Sequence, residues 1–133
     1  MKRILTSALA VALMLFPATA ADKHRTWLDR ANADKKTVRM TNPYQGEEDA
    51  ARAGGKLYQR YCSSCHGADA NGIGTNPLLL SPGVKKASSG ALYWLLRNGS
   101  LKRGMPSWSS LPPEQRWQIV TWMKALESPR PKQ

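Results

Sequence analysis

Cysteine is nearly absent: the 133-residue chain has two, Cys62 and Cys65. A disulfide-stapled scaffold is therefore excluded. A bridge between those two would close a very small, strained loop. Histidine is as scarce, with His24 and His66 alone, which removes the usual basis for a zinc site. No cysteine lies near the N-terminal apolar run, so a lipid-anchored start is excluded. That run, Ile4 to Phe16, is shorter than the ~20 residues a bilayer span needs. Acidic residues are few: nine Asp and Glu against twenty Lys and Arg, a formal net charge of +11. There is no internal repeat, no low-complexity tract and no convincing alternating strand pattern.

What is present is concentrated. Residues 62–66 read Cys-Ser-Ser-Cys-His. Two thiols three positions apart, followed at once by an imidazole, are what covalent haem attachment needs. The sulfurs add to two vinyl groups as thioethers, and the adjoining imidazole is held where its nitrogen can bind iron. A redox dithiol would want a βαβ setting, and none surrounds residue 62. Zinc wants about four ligands, and the next histidine is remote.

The start of the chain has the grammar of an export signal. Lys2 and Arg3 precede the apolar run, Pro17 breaks it, and Ala18-Thr19-Ala20 offers a small–x–small cleavage site. Cleavage after Ala20 is expected, with no stable membrane insertion afterwards and a periplasmic protein as the product. The expected organisation is a signal peptide over 1–20, a polar arm over 21–46, a haem domain over 47–127 and a frayed tail over 128–133. The arm reads as loose, with one helical turn near Trp27–Ala31.

Three helices are predicted. The first, from about Glu48 to Tyr61, leads into Cys62. Gly54 and Tyr58 share one of its faces. Gly54-Gly55 lowers helix propensity, so a close approach by another helix is expected. The second, Ser89 to Asn98, has serine at its N-cap, Gly99 as its stop and a stripe of Leu92, Leu95 and Leu96. The third begins near Pro112-Pro113-Glu114, with Ile119, Trp122, Met123 and Leu126 at helical spacing. The class is all-α.

Iron has a second axial face. Met105, in Arg-Gly-Met-Pro between the second and third helices, is the candidate sixth ligand, because a Gly/Pro-delimited loop can hold a soft thioether at a fixed point. Met123 lies on a helix stripe and reads as core. Met40 lies in the polar arm, and His24 reads as a solvated surface group. Trp94, Trp108 and Trp117 read as core packing.

In order, Gly54-x-x-x-Tyr58-x-x-x-Cys62, Cys62-x-x-Cys65-His66, Asn76-Pro77-Leu78-Leu79, Met105-Pro106 and Ile119-x-x-Trp122 resemble the class I c-type cytochromes, over about residues 47–127. The resemblance implies three to four short helices and long loops wrapped around one covalent haem c with its iron. It implies that Gly54 and Tyr58 meet Ile119 and Trp122 at a helix crossing. It also implies that the Pro77 carbonyl accepts a hydrogen bond from His66, and that His66 and Met105 are the axial ligands. The 21–46 arm has no counterpart in the family core, and Gly55 beside Gly54 is unusual.

An iron with both axial positions filled changes charge by one electron and binds substrate poorly. The expected function is therefore a periplasmic electron carrier, not an enzyme. Its partners are expected to be redox proteins with acidic docking surfaces, such as the quinoprotein dehydrogenases and haem–copper oxidases that the resemblance suggests. Twelve basic residues and only Asp69, Glu114 and Glu127 fall in 51–133. Arg97, Lys102 and Arg103, near Met105, are the candidate docking cations. Nucleic acid is not expected of an exported protein. The alternatives are a haem subunit of a larger dehydrogenase or oxidase complex, and a haem enzyme or sensor with an open sixth position. The last lacks a distal histidine in the compact part of the chain.

Overall fold

Helix caps and punctuation set the architecture. The computed structural model describes residues 31–32, 34–76 and 79–126, and the elements are helical. Helix α1 (Lys35–Val38) is started by the Asp34 carboxylate, which accepts from the Thr37 N–H at 3.0 Å. Helix α2 (Glu48–Tyr61) has Glu48 and Asp49 at its positive end, and its chain runs into α3 (Ser63–His66). Helix α4 (Pro82–Lys86) opens on a proline. Helix α5 (Ser89–Asn98) is capped by the Ser88 hydroxyl, which accepts from the Ala91 N–H at 3.1 Å, and ends at Gly99 with φ 67°. A 3-10 turn (Leu101–Arg103) and α6 (Pro113–Ala125) complete the order. Among the described residues, pairing of the strand type is limited to one bridge between Ser100 and Met105. The three long helices match the sequence reading. The shorter elements were not foreseen, because four- or five-residue helices carry too few turns to leave a periodic signal.

The core lies where α2, α5 and α6 meet. Leu92, Leu96, Ile119 and Val120 are buried there, and Tyr93 stacks on Trp117 with ring centroids 4.1 Å apart. Helices α2 and α6 cross at Gly54. A Cβ on Gly54 would overlap the Gln118 carbonyl oxygen and sit 3.0 Å from the Ile119 nitrogen. Tyr58, one turn on, stacks on Trp122 at 4.1 Å. The expected crossing is present, with the expected partners. Gly55 faces the Trp122 indole from the same crossing, where a Cβ would come within 3.0 Å of the ring.

Helix α6 is buried more widely than its predicted stripe. Arg116, Trp117, Ile119, Val120 and Thr121 are the buried residues, while Trp122, Met123 and Leu126 are half-buried. The cause is that α6 packs against both α2 and α5 and also against the arm.

The arm corrects the sequence reading. Its described part is docked rather than loose. Asn42, 3% exposed, donates to the Thr121 hydroxyl on α6 at 2.9 Å. Ser88 donates to the Val38 carbonyl at 3.1 Å. Gly90 lies so close to α1 that a Cβ would overlap the Thr37 and Val38 carbonyls. Polarity misled the reading: these polar groups bond to protein partners instead of water. Trp27 and the rest of the predicted turn before Ala31 lie outside the described residues, as do the signal and tail segments.

Candidate functional site

Helix α2 delivers Cys62, whose N–H donates to the Tyr58 carbonyl at 2.8 Å. The chain then tightens into α3, with the Cys65 and His66 N–H groups donating to the Cys62 carbonyl at 3.1 and 2.9 Å. Helical spacing puts Cys62 and Cys65 on one face. Both thiols are free, Cys62 half-buried and Cys65 exposed. Burial, and then the neighbouring Cys65, push the Cys62 thiol up to about 11.

Several bonds fix the turn. The Tyr58 hydroxyl donates to the Gly67 carbonyl at 2.5 Å, Gln59 donates to the Ala68 carbonyl at 2.8 Å, and the His66 carbonyl accepts from the Gly72 N–H at 2.8 Å. Gly67 leaves the helix at φ 82°, and Ala70 is held at φ 62°, a region that an alanine enters at a cost of roughly 1–2 kcal/mol. Hydrogen bonds from the Ala70 N–H to the Gly67 carbonyl and from the Leu79 N–H to the Ala70 carbonyl hold it there. Asn71 bonds keep the Asp69 carboxyl below its ordinary range.

Met105 stands on a second braced loop. Its N–H and carbonyl pair with Ser100 at 3.2 and 2.9 Å, and Gly104 at φ 79° closes the intervening turn. The Trp108 N–H donates to the Leu96 carbonyl at 2.8 Å, and the Ser107 hydroxyl to the Arg97 carbonyl at 2.6 Å. Gly99 abuts the Pro106 carbonyl so closely that a Cβ would be 2.6 Å away. Met105 itself is half-buried against the core. Tyr61, the residue before Cys62, lies 5.5 Å from the Trp108 ring, so the end of α2 and the Met105 loop share one side of the core. Pro77 lies outside the described residues.

The donor set suits a haem: two thiols on one face, an imidazole beside them, and a thioether on a loop linked to the same helix end. Two other observations fit. Ile73 and Leu101, 53% and 76% exposed, are large apolar side chains on the two loops concerned, where an apolar ring would cover such surface. The Ser100 hydroxyl is buried with no hydrogen-bond partner among the described residues, a donor left for a group the chain does not supply.

One residue of the site escaped the sequence reading. Arg116 is 5% exposed, yet its guanidinium meets the carbonyls of Trp108, Ser109 and Leu111 and the Tyr93 hydroxyl. A signal existed: Arg116 falls three and seven positions before Ile119 and Met123, a charge inside an apolar stripe. Of the docking candidates, Lys102 and Arg103 are exposed on the 3-10 turn. Arg97 is also exposed, and its charge acts on Asp34 in the arm.

Comparison with known proteins adds the following. The family described as cytochrome c oxidase, cbb3-type, subunit III matches residues 49–123. A quinohemoprotein alcohol dehydrogenase, ADH IIB, of Pseudomonas putida is 32% identical over 102 residues, 73% of this chain. The chain spans only 14% of the length of that relative. The crystal structure of cytochrome CL from the marine methylotrophic bacterium Methylophaga aminisulfidivorans MPT superposes with a TM-score of 0.56 at 25% identity. That match covers 63% of this chain and 57% of that one.

Proposed function

We infer the function from one premise: the chain belongs to the cytochrome c family described as cytochrome c oxidase, cbb3-type, subunit III, and is a class I c-type cytochrome with covalently bound haem c and its iron. We propose that it is a periplasmic one-electron carrier, serving a dehydrogenase or respiratory complex and a terminal acceptor, and that it is not itself an enzyme. In this reading Cys62 and Cys65 would hold the haem, and His66 and Met105 would bind its iron. The group supplies a one-electron change at iron. The chain supplies rigidity: the hydrogen-bonded turn after α2 holds His66, and the bridged loop holds Met105. Held in this way, both side chains would stay in place as the bound group gains or loses an electron.

The observation that carries the reading is the bracing of Met105. Its backbone pairs with Ser100, and its loop is bonded to the end of α5. Such a loop suits a fixed ligand better than a gap-filling side chain does. The test is the visible spectrum of the matured protein, with and without carbon monoxide. The expected result is low-spin iron, a methionine–iron charge-transfer band lost in Met105→Ala, and no carbon monoxide binding by the native protein. Ready carbon monoxide binding by the native protein would sink the proposal in favour of an open-site enzyme or sensor.

A second reading has one observation in its favour. The same sequence pattern occupies a small fraction of a much longer dehydrogenase in Pseudomonas putida. The chain would then be the haem subunit of a larger complex, and its native mass distinguishes a free carrier from a subunit.

No helix among the described residues is long and apolar enough to cross a membrane. The export grammar of residues 1–20 supports a periplasmic site of action, and these residues lie outside the described part.

A further inference from the structure

Arg116 is a buried cation with an unusual set of partners. Its guanidinium meets three carbonyls and one phenol, all neutral. Nη1 donates to the carbonyls of Trp108 at 3.3 Å, Ser109 at 3.1 Å and Leu111. Nη2 donates to the Tyr93 hydroxyl at 2.9 Å, and the guanidinium carbon lies 5.1 Å from the Tyr93 ring centroid. Nε has no partner. The one ion pair among the described residues, Arg52 with Asp49, is elsewhere on the surface.

Burying a guanidinium is costly unless its donors are met, so the partners it finds matter. Core filling alone does not account for it, since an aliphatic side chain would do that without the charge. The three acceptors do. They belong to a single stretch, residues 108–111, that runs from the Met105 loop to the start of α6. A short irregular stretch has few backbone partners for its carbonyls, and the two protons of Nη1, shared among three carbonyls, gather them at once. The gathered stretch is the same one whose Trp108 N–H is bonded to α5 and whose Ser107 hydroxyl is bonded to the Arg97 carbonyl. Met105 lies three residues before Trp108, so on its C-terminal side this guanidinium anchors the loop together with the bonds of Ser107 and Trp108 to the end of α5. The Ser100 bridge is the anchor on the other side.

We propose that Arg116 is the positioning residue of the sixth-ligand loop: its guanidinium, drawing together the Trp108, Ser109 and Leu111 carbonyls, keeps Met105 on the iron. The proposal rests on Met105 being the axial ligand. It assigns Arg116 no contact with the haem. Its consequence is that weakening the clamp releases Met105 more readily, and an outside ligand then reaches the iron, while the rest of the domain stays folded.

The experiment titrates the oxidised holoprotein with imidazole, which can bind only where Met105 has left, and follows the methionine–iron charge-transfer band. Arg116→Lys keeps the charge but ends one bond short of the Nη1 position, and Arg116→Met keeps the bulk but loses the charge and every donor. Both variants are expected to bind imidazole about tenfold more tightly, the effect of losing one charge-assisted hydrogen bond. Ile119→Val, a core truncation in the same helix, controls for general loss of stability. It is expected to lower the melting temperature and leave imidazole binding unchanged. If Arg116→Met does not fold, Arg116→Lys carries the test alone. Native-like imidazole affinity in a folded Arg116 variant overturns the clamp, as does a matching gain of affinity in Ile119→Val. If Met105→Ala binds imidazole no better than the native protein, the axial-ligand reading itself fails. A clamp failure leaves Met105→Ala with its gain and is thus separable.

Discussion

At the scale of single residues, two positions make sharp demands. Gly54 has no room for a methyl group, because the obstacle is the Gln118 backbone and not a movable side chain. Gly54→Ala is expected to destabilise the domain by about 3 kcal/mol or more, since α2 and α6 would have to separate. Gly55→Ala would press only on the Trp122 ring, which can shift, and about 1 kcal/mol is expected. Urea unfolding of the two variants measures the difference, and equal losses would mean that backbone contact is not what sets the crossing. Tyr58 makes a different demand. It is fully buried, and burial above all, then Cys62 and Asp69, push its phenol from 10.0 up to about 12. Between those values the unfolded chain gives up the proton and the native protein keeps it. Tyr58 therefore contributes stability below pH 10 that is lost as pH rises towards 12. Tyr58→Phe should flatten the alkaline limb of a stability-against-pH curve, at the cost of the hydrogen bond to Gly67. An alkaline limb unchanged in Tyr58→Phe would contradict this.

At the scale of elements, the arm is the unexpected component. It crosses α5 and α6 by specific polar contacts, of which Asn42 to Thr121 is the most buried. Asn42→Ala removes the donor to Thr121 and the acceptor of the Tyr44 N–H, and should cost about 1–3 kcal/mol. Protease cutting before Glu48 should quicken in the same variant, and an unchanged cutting rate would mean the arm is held elsewhere. This element also shows where sequence reading ran out. The three long helices were legible because caps, stops and apolar stripes repeat over several turns. The Cys62–His66 turn was legible because its chemistry is packed into five adjacent residues. Gly54, Tyr58, Ile119 and Trp122 were paired through family resemblance, and their contact follows from a missing Cβ. The arm was illegible because its partners, Ser88 and Thr121, are far away in the chain and its polarity mimics a solvated tail. Arg116 was overlooked because a lone arginine on a helix ordinarily faces water.

At the scale of the whole molecule, charge is the dominant property. With a formal net charge of +11 over the full sequence, the protein repels other basic surfaces and attracts acidic ones. Lys102 and Arg103 are exposed beside Met105, on a turn fixed by the Ser100 bridge. Charge reversal of both is expected to slow electron transfer to an acidic partner about tenfold at low salt, with the difference vanishing at high salt. A rate independent of both residues would remove them from the docking surface. The crossing of α2 with α6 has a consequence of another kind, in time rather than in space. A polypeptide is made from its amino end, so Gly54 and the two thiols exist before Gln118 does. Until α6 has been synthesised, its backbone cannot fill the notch at Gly54. The last of the described helices thus acts as a latch on the element that delivers both sulfurs.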